Sequence, residues 1–513
     1  MVFVVHMYTQ YLILFSYFAI LFGIGVLASR RIKNVGDYYV AGKKLGYWVA
    51  AFSARATGES GWLLLGLTGL GALVGLSAMW VVIGELLGVT IAWFLMAKPF
   101  RKAVDKSDAM TIPDYLAARF THSTDNKTWQ NKFIRLLSAL TIALFVTVYV
   151  SAQIDATGKA FESFLGWNYY LGILVGFGIV IIYTYSGGFF AVAWSDLLQG
   201  SLMLVGLVLL PVAAWISSSG IAEIWQSLHA ADPGLTNIWG ATGLTLASFM
   251  VAISYAAIGL GFLGSPQIFV RFISIKDQDE IDKGRWVAVI FTLLTDGGAV
   301  LAGMFGRYLL VDPSVDVVMA LGPGAERLLP ELVVYLFPSI VVAIFVAVVL
   351  AAIMSTVDSL LVVASSAVAR DIYQQLLVPG IQDSQLTRLS KKVTLSLAMG
   401  ALLIALVVSI ISPDRTVFWF AIFGWSGIAA TFCPVVLLSL FWRSYNFWGA
   451  VTSMITGFIC VPFFKFVIPQ LGDFGRSLAM AGELAPAFFI SLLSGIIISS
   501  IINIRIKADN RAG

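Results

Sequence analysis

The sequence predicts an all-α protein that crosses a membrane many times and forms a single domain. Of its 513 residues, 59% are hydrophobic and only 12% are charged, which is too apolar for a soluble protein. Apolar runs of about 20 residues, the length that a helix needs to cross a bilayer, recur along the chain. The polar stretches between them are too short to form a separate soluble domain.

These apolar runs give about thirteen predicted spans. The first covers residues 11–29. The others lie near residues 45–74, 77–97, 136–160, 169–186, 189–216, 244–271, 285–311, 335–371, 388–411, 415–441, 446–468 and 485–504. An odd number of spans places the two termini on opposite sides of the membrane.

Basic residues orient the spans. Arg30, Arg31 and Lys33 directly follow the first run, and no Lys or Arg precedes it. This is the pattern of a signal anchor with the N-terminus outside, and not of a cleaved signal peptide. The predicted cytoplasmic stretches, among them residues 271–285, then hold 25 of the 32 Lys and Arg. We therefore expect a multi-pass protein of the inner (plasma) membrane with a cytoplasmic C-terminus.

Two spans contain residues that a lipid-facing helix does not tolerate. Residues 53–62 read SARATGESGW, with two charges and two glycines inside an apolar run. Residues 257–268 read AIGLGFLGSPQI, with three glycines close to Pro266. Gly and Pro weaken a helix by about 1 and 3 kcal/mol relative to Ala, so both segments should be locally unwound. Irregular backbone at membrane depth is tolerated only where it is buried in protein or lines a wet cavity.

The spacing of the two breaks suggests an architecture. They lie five spans apart, as in transporters that are built from two inverted five-helix repeats and bind substrate at the broken helices. The alternative is that the glycines serve only close helix packing. The matched pair favours a binding site.

Several strings carry a family resemblance. They are DYYVAGKKLG, SGWLLLGLTG, TIPDYLAARF, SGGFFAVAWSDLLQG, GLGFLGSPQIFVRF, AAIMSTVDSLLVVASSAVARDIY and WSGIAATFCPVVLLSLFW. Over residues 37–447 the chain resembles the sodium/solute symporter family, most closely its sodium/proline branch. The resemblance implies a LeuT-like fold of thirteen helices, of which the second to eleventh form the inverted-repeat core.

The resemblance also implies a domain layout and a function. The first repeat would cover residues 45–216 and the second residues 244–441. Residues 1–44 would supply the first helix with its cytoplasmic loop, and residues 446–513 the two C-terminal helices and tail. The implied function is import of a small amino acid, proline or proline-like, coupled to Na+ by alternating access, and not an enzymatic reaction.

Ser355 and Thr356 are the candidate ligands of a sodium ion. Their hydroxyls lie in MSTVDS, and a hard cation prefers oxygen ligands. Taken alone, such hydroxyls more often bond back to carbonyls of their own helix, and the predicted break is what favours the ion. In the resembling family the main sodium site joins main-chain oxygens at the break to these hydroxyls. The implied set is Ala56, Glu59, Ala352, Ser355 and Thr356.

A second cation site is suggested by two intramembrane carboxylates. Asp358 lies one helical turn from Ser355, and carboxylates inside spans are costly and usually paired or functional. In some relatives a further cation binds between the corresponding helices, which implies Asp196, Asp358 and Ser359 beside Ser355. The alternative for Asp196 is an interfacial residue near a helix start, where it would favour the dipole.

The resemblance places the substrate at the two breaks and on the fourth span. The implied substrate residues are Gly58, Ser60, Tyr149, Ile258, Phe262 and Pro266. Around the second break the proline branch has Trp, Tyr, Gln and His, where this chain has Ile258, Phe262, Ser265 and Gln267. A missing hydrogen-bonding group shifts selectivity more than a missing methylene does, so the substrate can differ from proline.

The first break departs further from the proline branch. That branch has a small residue, Asp and an apolar residue where this chain has Arg55, Gly58 and Glu59. The i, i+4 spacing of Arg55 and Glu59 permits an ion pair. Three interpretations remain: the pair replaces the lost Asp structurally, Glu59 titrates and couples protons, or Arg55 holds a substrate carboxylate. Glu85, Asp155 and Asp296 are further candidate partners of Arg55.

The function classes can be narrowed. The partners that we expect are a small-molecule substrate, by resemblance an amino acid, a sodium ion and the lipid bilayer. Loop asymmetry explains the net charge of +4, so nucleic acid is not expected. Cys433 and Cys460 have no paired spacing, so no metal or redox centre is expected. The alternatives are sodium- or proton-coupled uptake of another small carboxylate and, in a different class, a transporter-like membrane sensor.

Overall fold

The computed structural model describes residues 2–121 and 128–512. Its helices are α1 (Val2–Ser29), α2 (Val35–Val40), α3 (Tyr47–Gly58), α4 (Thr68–Val74), α5 (Met79–Ile91), α6 (Ala97–Ser107), α7 (Ile112–Phe120), α8 (Trp129–Leu165), α9 (Tyr169–Ile216) and α10 (Ile221–Ala231). The chain continues with α11 (Leu246–Ala256), α12 (Pro266–Ser274), α13 (Gln278–Leu310), α14 (Val317–Leu321), α15 (Leu328–Leu336), α16 (Ser339–Ser366), α17 (Asp383–Ile411), α18 (Val417–Phe441), α19 (Phe447–Pro462), α20 (Gly472–Ala479) and α21 (Leu484–Ala512).

Eleven helical stretches of the described residues are long and apolar enough to cross a membrane. One of them covers 46 residues from Trp62 to Ser107 and includes a left-handed turn at Gly75 (φ 56°). Helix α9 covers 48 residues and leaves helical geometry at Gly188 (φ 55°). The multi-pass prediction is confirmed, whereas the number of thirteen is not, because tight turns join neighbouring spans into continuous helical stretches.

The first predicted break is present at the end of α3. The helix ends at Gly58, and Glu59 is extended (φ −99°, ψ 115°) before the chain resumes as a π-helical segment, Trp62–Leu67. The break frees carbonyl oxygens that a continuous helix would have paired. The Trp62 indole takes one of them, since its Nε1 lies 3.2 Å from the Gly58 oxygen.

The second predicted break separates α11 from α12. A 3₁₀ segment, Ala257–Leu263, is followed by Gly264 at φ 154°, a conformation that L side chains rarely adopt. Two side chains of α18 donate to carbonyl oxygens that the break leaves without a helical partner. The Trp425 Nε1 donates to the Ile258 oxygen (2.9 Å), and the Cys433 thiol donates to the Gly261 oxygen (3.3 Å). Pro266 then starts α12, where its missing N–H leaves no bond unmade.

Glycines let α5 pack directly against the second break. A Cβ added at Gly88 would lie 2.0 Å from the Gly259 oxygen, and one added at Gly84 would lie 2.1 Å from the Ala256 oxygen. Close packing is therefore a use of glycine in this fold, as the alternative interpretation held, and it occurs together with the break. The backbone of α5 thus lies directly against the second break, and its Glu85 side chain reaches Arg55 at the first break.

Candidate cation and substrate sites

The carbonyls freed at the first break face the hydroxyls of α16. The Ser355 Oγ lies 2.8 Å from the Ala56 oxygen, and the Thr356 Oγ1 lies 3.2 Å from the Thr57 oxygen. Both hydroxyls also lie near the oxygen of Ala352, at 3.0 and 3.2 Å. The structure thus brings four of the five residues implied for the main sodium site into one cluster of oxygens. In the same cluster both hydroxyls also bond to a carbonyl of their own helix, as the alternative interpretation held.

Helix geometry makes this cluster attractive to a cation. The carbonyl end of α3 carries the negative end of the helix dipole, and carbonyl and hydroxyl oxygens are ligands that a hard cation prefers. The fifth implied residue, Glu59, directs its carboxylate elsewhere, into an ion pair with Arg55. Since every side chain of the cluster is fully buried, a bound ion would be dehydrated and held by protein oxygens.

The residues implied for the second cation site surround an arginine. The Arg271 Nη2 lies 3.0 Å from the Asp196 Oδ2 and 2.5 Å from the Ser359 Oγ. The same nitrogen contacts the Thr57 Oγ1 at 2.6 Å, and the Arg271 Nε contacts the Ser53 Oγ at 3.0 Å. Asp196 is fully buried, so it is not the interfacial residue of the alternative interpretation. A guanidinium therefore already occupies part of this site.

Asp358 leaves the second site with an excess negative charge. Its Oδ1 accepts the Ser359 N–H at 2.7 Å, while its Oδ2 and the Asp196 Oδ1 have no hydrogen-bond partner among the described residues. Two buried carboxylates face one guanidinium, which leaves a net charge of −1 that one monovalent cation would neutralise.

Arg271 was predicted in the cytoplasmic stretch 271–285, and this prediction is wrong. The residue lies near the end of α12 and is fully buried. In the sequence, a basic residue at the end of a span cannot be distinguished from the basic residues of the charged loop that follows. The one available signal was its spacing of five residues from Pro266, which keeps it inside the second half of the broken helix.

Arg55 is the centre of a second buried group of charges. Its Nη2 contacts the Glu59 Oε1, lies 2.9 Å from the Glu85 Oε2, and is 3.9 Å from the Asp296 Oδ2. All four side chains are at most 1% exposed. Two of the three candidate partners of Arg55 thus reach it. The remaining candidate, Asp155, pairs instead with Arg415.

Three of the implied substrate residues, Gly58, Phe262 and Tyr149, are linked by contacts at the two breaks, whereas Pro266 lines a small cavity with Thr111 and Val363. Phe262 packs against Gly58, where an added Cβ would lie 2.8 Å from the Phe262 Cε1. The Phe262 ring also lies under the Arg55 guanidinium (4.6 Å) and beside Trp425 (5.1 Å between ring centroids). Tyr149 reaches the same Trp425 from α8 at 6.3 Å. Trp425, which no sequence signal indicated, therefore contacts both the second break and α8.

Several buried donors in this region have no acceptor among the described residues. They are the Tyr149 hydroxyl, which lies near Ser60 without a well-formed bond, the Gln153 Nε2, and the Arg55 Nε and Nη1. The Gln153 Oε1 is bonded to the Gly61 N–H at 3.1 Å, which fixes the orientation of the amide beside the first break. Unpaired buried donors are rare, and together they favour a ligand that carries acceptor oxygens.

Ion-pair networks hold the molecule at both ends of α8. Near the start of α8, Arg135 bonds Asp114 (2.5 Å) and Asp371 (2.8 Å). Near its end, Lys159 bonds Glu326 (2.7 Å), and Arg415 bonds Asp155. A cavity of about 690 Å³ lies at the Lys159 end and reaches Leu65, four residues beyond Gly61. On the Arg135 side, a small cavity of about 10 Å³ lies next to Thr111, whose hydroxyl donates to Asp371.

Asp114 provides a test of the network at the Arg135 end. Burial alone would raise its pKa, but Arg370 and Arg135 outweigh this effect and lower the pKa of Asp114 to about 2. Because the pKa is lowered, the pairing contributes its full stabilisation at pH values above the ordinary pKa of about 3.9. This stabilisation is lost as the pH falls toward about 2. At neutral pH, Asp114→Asn should remove it and loosen this end.

The expected effect is faster labelling behind the network. In a background with Cys433 and Cys460 replaced by Ala, we expect Asp114→Asn to raise the maleimide labelling rate of a cysteine introduced at Ser366 about tenfold, which corresponds to about 1.4 kcal/mol. Asp108→Asn removes an exposed pair with Lys43 and should leave the rate unchanged. Equal rates in both variants would show that the network does not hold this end closed.

Comparison with known proteins assigns the chain to a family. A family model described as the sodium:solute symporter family matches residues 38–457. The chain belongs to this family. Family membership confirms the prediction of a membrane transporter and not an enzyme.

Relatives in the family match over nearly the whole chain. The osmoregulated proline transporter OpuE of Bacillus subtilis is 33% identical over 501 residues, which are 96% of this chain and 95% of the relative. The high-affinity proline transporter PutP of the same organism is 35% identical over 474 residues, 92% of this chain and 95% of the relative. The sodium/proline symporter of Escherichia coli is 34% identical over 481 residues, 93% and 90% of the two chains.

A solved structure shares the fold of this symporter-family chain. It is a substrate-bound, outward-open Na+-coupled sialic acid symporter, which superposes with a TM-score of 0.78 and covers 96% of this chain and 97% of its own. At 21% sequence identity this likeness concerns the fold alone. It confirms the predicted all-α architecture with a LeuT-like core.

Proposed function

We propose that this protein is a sodium-coupled symporter that imports a small amino acid, proline or a proline-like compound, by alternating access. The observation that carries the proposal is the first helix break, whose freed carbonyls lie within hydrogen-bonding distance of Ser355 and Thr356. Family membership and the three proline-transporting relatives support it.

In this proposal Na+ binds among the oxygens of Ala56, Ala352, Ser355 and Thr356. The ion would take over the carbonyls that the two hydroxyls contact in its absence, and the main-chain oxygen of Glu59 would complete the set. A further cation would bind beside Asp358, Ser359 and the unbonded oxygen of Asp196, where Arg271 leaves one negative charge uncompensated. Both sites join α3 or α9 to α16, so ion binding would hold these helices together.

The substrate would bind between the two breaks. Gly58, Ser60, Tyr149, Ile258, Phe262 and Pro266 would form its pocket. The unpaired donors of Tyr149 and Gln153 suit a carboxylate, and the Phe262 and Trp425 rings suit an apolar side chain or ring. An amino acid with a small apolar side chain meets both requirements.

The orientation belongs to the same proposal. Since most Lys and Arg lie in the stretches between spans at the Arg135 end, that end would face the cytoplasm of a plasma membrane, with the N-terminus outside and the C-terminus inside. The cavity at the Lys159 end would then be an outer vestibule, and the network of Arg135 and Asp114 would be a closed inner gate.

Coupling would follow from linkage. Sodium bound at the break would order the pocket and raise the affinity for substrate, and substrate would raise the affinity for sodium by the same factor. Rearrangement of the broken helices would then open the cytoplasmic end. The membrane potential adds about 2.3 kcal/mol per charge per 100 mV, so one sodium ion already drives substantial accumulation.

One observation favours a second substrate class. Arg55 has two nitrogens without an acceptor and lies against Phe262 in the proposed pocket. It would bind a substrate carboxylate more strongly than a neutral donor does, which would extend the substrates to small carboxylates that lack an amino group.

A thermal-shift screen followed by uptake tests the proposal. Purified protein is heated with individual amino acids and small carboxylates, in sodium or in choline buffer. We expect one compound, proline first among them, to stabilise the protein only in sodium, because ligands that bind the folded state raise its melting temperature. The same compound should accumulate in proteoliposomes under a sodium gradient. Uptake that is equal in sodium and choline would refute the coupling, and binding without flux would indicate a sensor.

A further inference from the structure

A further cavity lies at the Lys159 end of the molecule. It encloses about 370 Å³ between α11, the start of α18, the segment Phe463–Val467 that follows α19, and the turn from α20 to α21. This volume is in the range of small-molecule sites, which is about 300–1,000 Å³. The residues that line the cavity belong neither to the proposed cation sites nor to the proposed substrate pocket.

Two stacked aromatic rings form part of the wall of this cavity. Tyr255 of α11 lies against Trp419 of α18, with 6.3 Å between the ring centroids and 29° between the ring planes. Tyr and Trp are enriched where a membrane protein meets the lipid headgroups. The segments that close the cavity also carry the exposed Phe466 and Phe489, as surfaces in contact with acyl chains do. These features place the cavity at the boundary between headgroups and acyl chains.

A loosely paired lysine and glutamate line the same cavity. The Lys465 Nζ lies 3.6 Å from the Glu483 Oε2, which is longer than a hydrogen bond, and 5.5 Å from the centre of the Trp419 ring. The Glu483 side chain is only 5% exposed, and its Oε1 has no hydrogen-bond partner among the described residues. Buried carboxylate oxygens are rarely left without a donor, and an ammonium has three protons to donate. Both members of this pair therefore have hydrogen-bonding capacity for a ligand.

The charges of the cavity indicate a ligand that carries both signs. An anionic group would bind the Lys465 ammonium, and a cationic N–H donor would bind the Glu483 Oε1 beside the Trp419 ring. A simple anion would be repelled by Glu483, and a simple cation would be repelled by Lys465. A phosphodiester that is joined to a primary ammonium by a short link supplies both charges close together. Its acyl chains would lie along the exposed phenylalanines.

We propose that this cavity binds the headgroup of a zwitterionic phospholipid with a primary ammonium, of the phosphatidylethanolamine type. The phosphate binds Lys465, and the ammonium donates to Glu483 and lies against the Trp419 ring. The site joins α11, which leads into the second break, to α18 and to the two C-terminal helices, so the bound lipid stabilises their packing. The proposal does not rest on the proposed transport function, and only the assignment to the outer leaflet depends on the proposed orientation.

Lipid binding to the purified full-length protein tests the proposal. Native mass spectrometry gives the Kd of dioleoyl lipids that share the phosphate and differ in the methylation of the nitrogen. We expect phosphatidylethanolamine to bind about tenfold more tightly than phosphatidylcholine, because a quaternary ammonium cannot donate a charge-assisted hydrogen bond to Glu483. Anionic phosphatidylglycerol should also bind more weakly than phosphatidylethanolamine. Equal affinity for the first two lipids, or tighter binding of phosphatidylglycerol, would overturn the proposal.

Two variants locate the site. Glu483→Met should remove the preference for phosphatidylethanolamine over phosphatidylcholine, whereas Lys465→Met should weaken the binding of all three lipids. As a matched control, Asp473→Asn with Arg476→Gln removes an exposed ion pair of the nearby α20 and should change none of the Kd values.

A purely structural role of Glu483 would give a different result. This residue directly precedes α21, where its charge also favours the helix dipole. Loss of that effect alone would lower the melting temperature and leave the ratio of the lipid affinities unchanged, which would refute the site. If Glu483→Met does not fold, the comparison of lipids on the wild-type protein and on Lys465→Met decides.

Discussion

Replacing Ser355 and Thr356 together by alanine should abolish sodium-dependent uptake under physiological sodium. The two hydroxyls are the side-chain oxygens that face the freed carbonyls of Ala56 and Thr57. Each contact with a charged partner is worth about 1.5–3 kcal/mol, so losing both should raise the sodium concentration for half-maximal uptake by at least about 100-fold. Uptake in proteoliposomes over a range of sodium concentrations measures this shift.

The same helix provides a matched control. Ser365 and Ser366 are also adjacent and buried on α16, but their hydroxyls bond back to Val362 and Val363 of their own helix. Ser365→Ala with Ser366→Ala should therefore leave the sodium dependence unchanged. If both double variants behave alike, the position of the hydroxyls relative to the break has no role in sodium binding.

Arg55→Gln should destabilise the protein far more than Glu59→Gln does. Removing the one cation that the described residues place in this group leaves three buried carboxylates, and breaking a buried ion pair in this way costs about 3–5 kcal/mol. Removing Glu59 instead reduces the net charge from −2 to −1 and leaves Arg55 paired with Glu85, so the loss should be about 1 kcal/mol. Melting temperatures of the purified variants measure the difference.

The double variant and a surface pair complete this test. Arg55→Gln with Glu59→Gln should be milder than the sum of the single changes, because the two residues interact directly. Arg327 and Glu331 have the same i, i+4 spacing and are about half exposed, so the same substitutions there should have effects below about 1 kcal/mol. Additive effects at residues 55 and 59 would contradict the ion pair as an energetic unit.

The overall architecture was predictable because it depends on local properties of the chain, namely hydropathy and the positions of glycine, proline and charged residues. Apolar runs of membrane length indicate spans, and glycines beside charges or a proline indicate interruptions within them. Both breaks, after Gly58 and around Gly264, lie within the segments that composition indicated. The number of spans was less certain, since α9 continues through the turn at Gly188 and hydropathy does not show whether such a turn ends a helix.

The candidate sites were predictable only in part. Ser355 and Thr356 were identified because their hydroxyls stand out in an apolar helix next to a family motif. Arg271 was assigned to a loop because a basic residue near a span end has the same sequence signature whether it faces water or a buried acid. Trp425 was not selected, since an aromatic residue in a membrane helix usually serves packing.

The sequence by itself determined that this chain is a polytopic α-helical protein with two interrupted spans, because length, hydropathy and backbone propensity are local properties. Only the tertiary structure decided which polar groups meet. It joined Arg55 to Glu59, Glu85 and Asp296, and it placed Arg271 against Asp196. Inside a membrane each charge needs a partner. The sequence alone is compatible with many helix arrangements that would pair the charges differently. The packing of α3, α5, α12 and α13 selects one of them, and that selection sets the net charge of each candidate site.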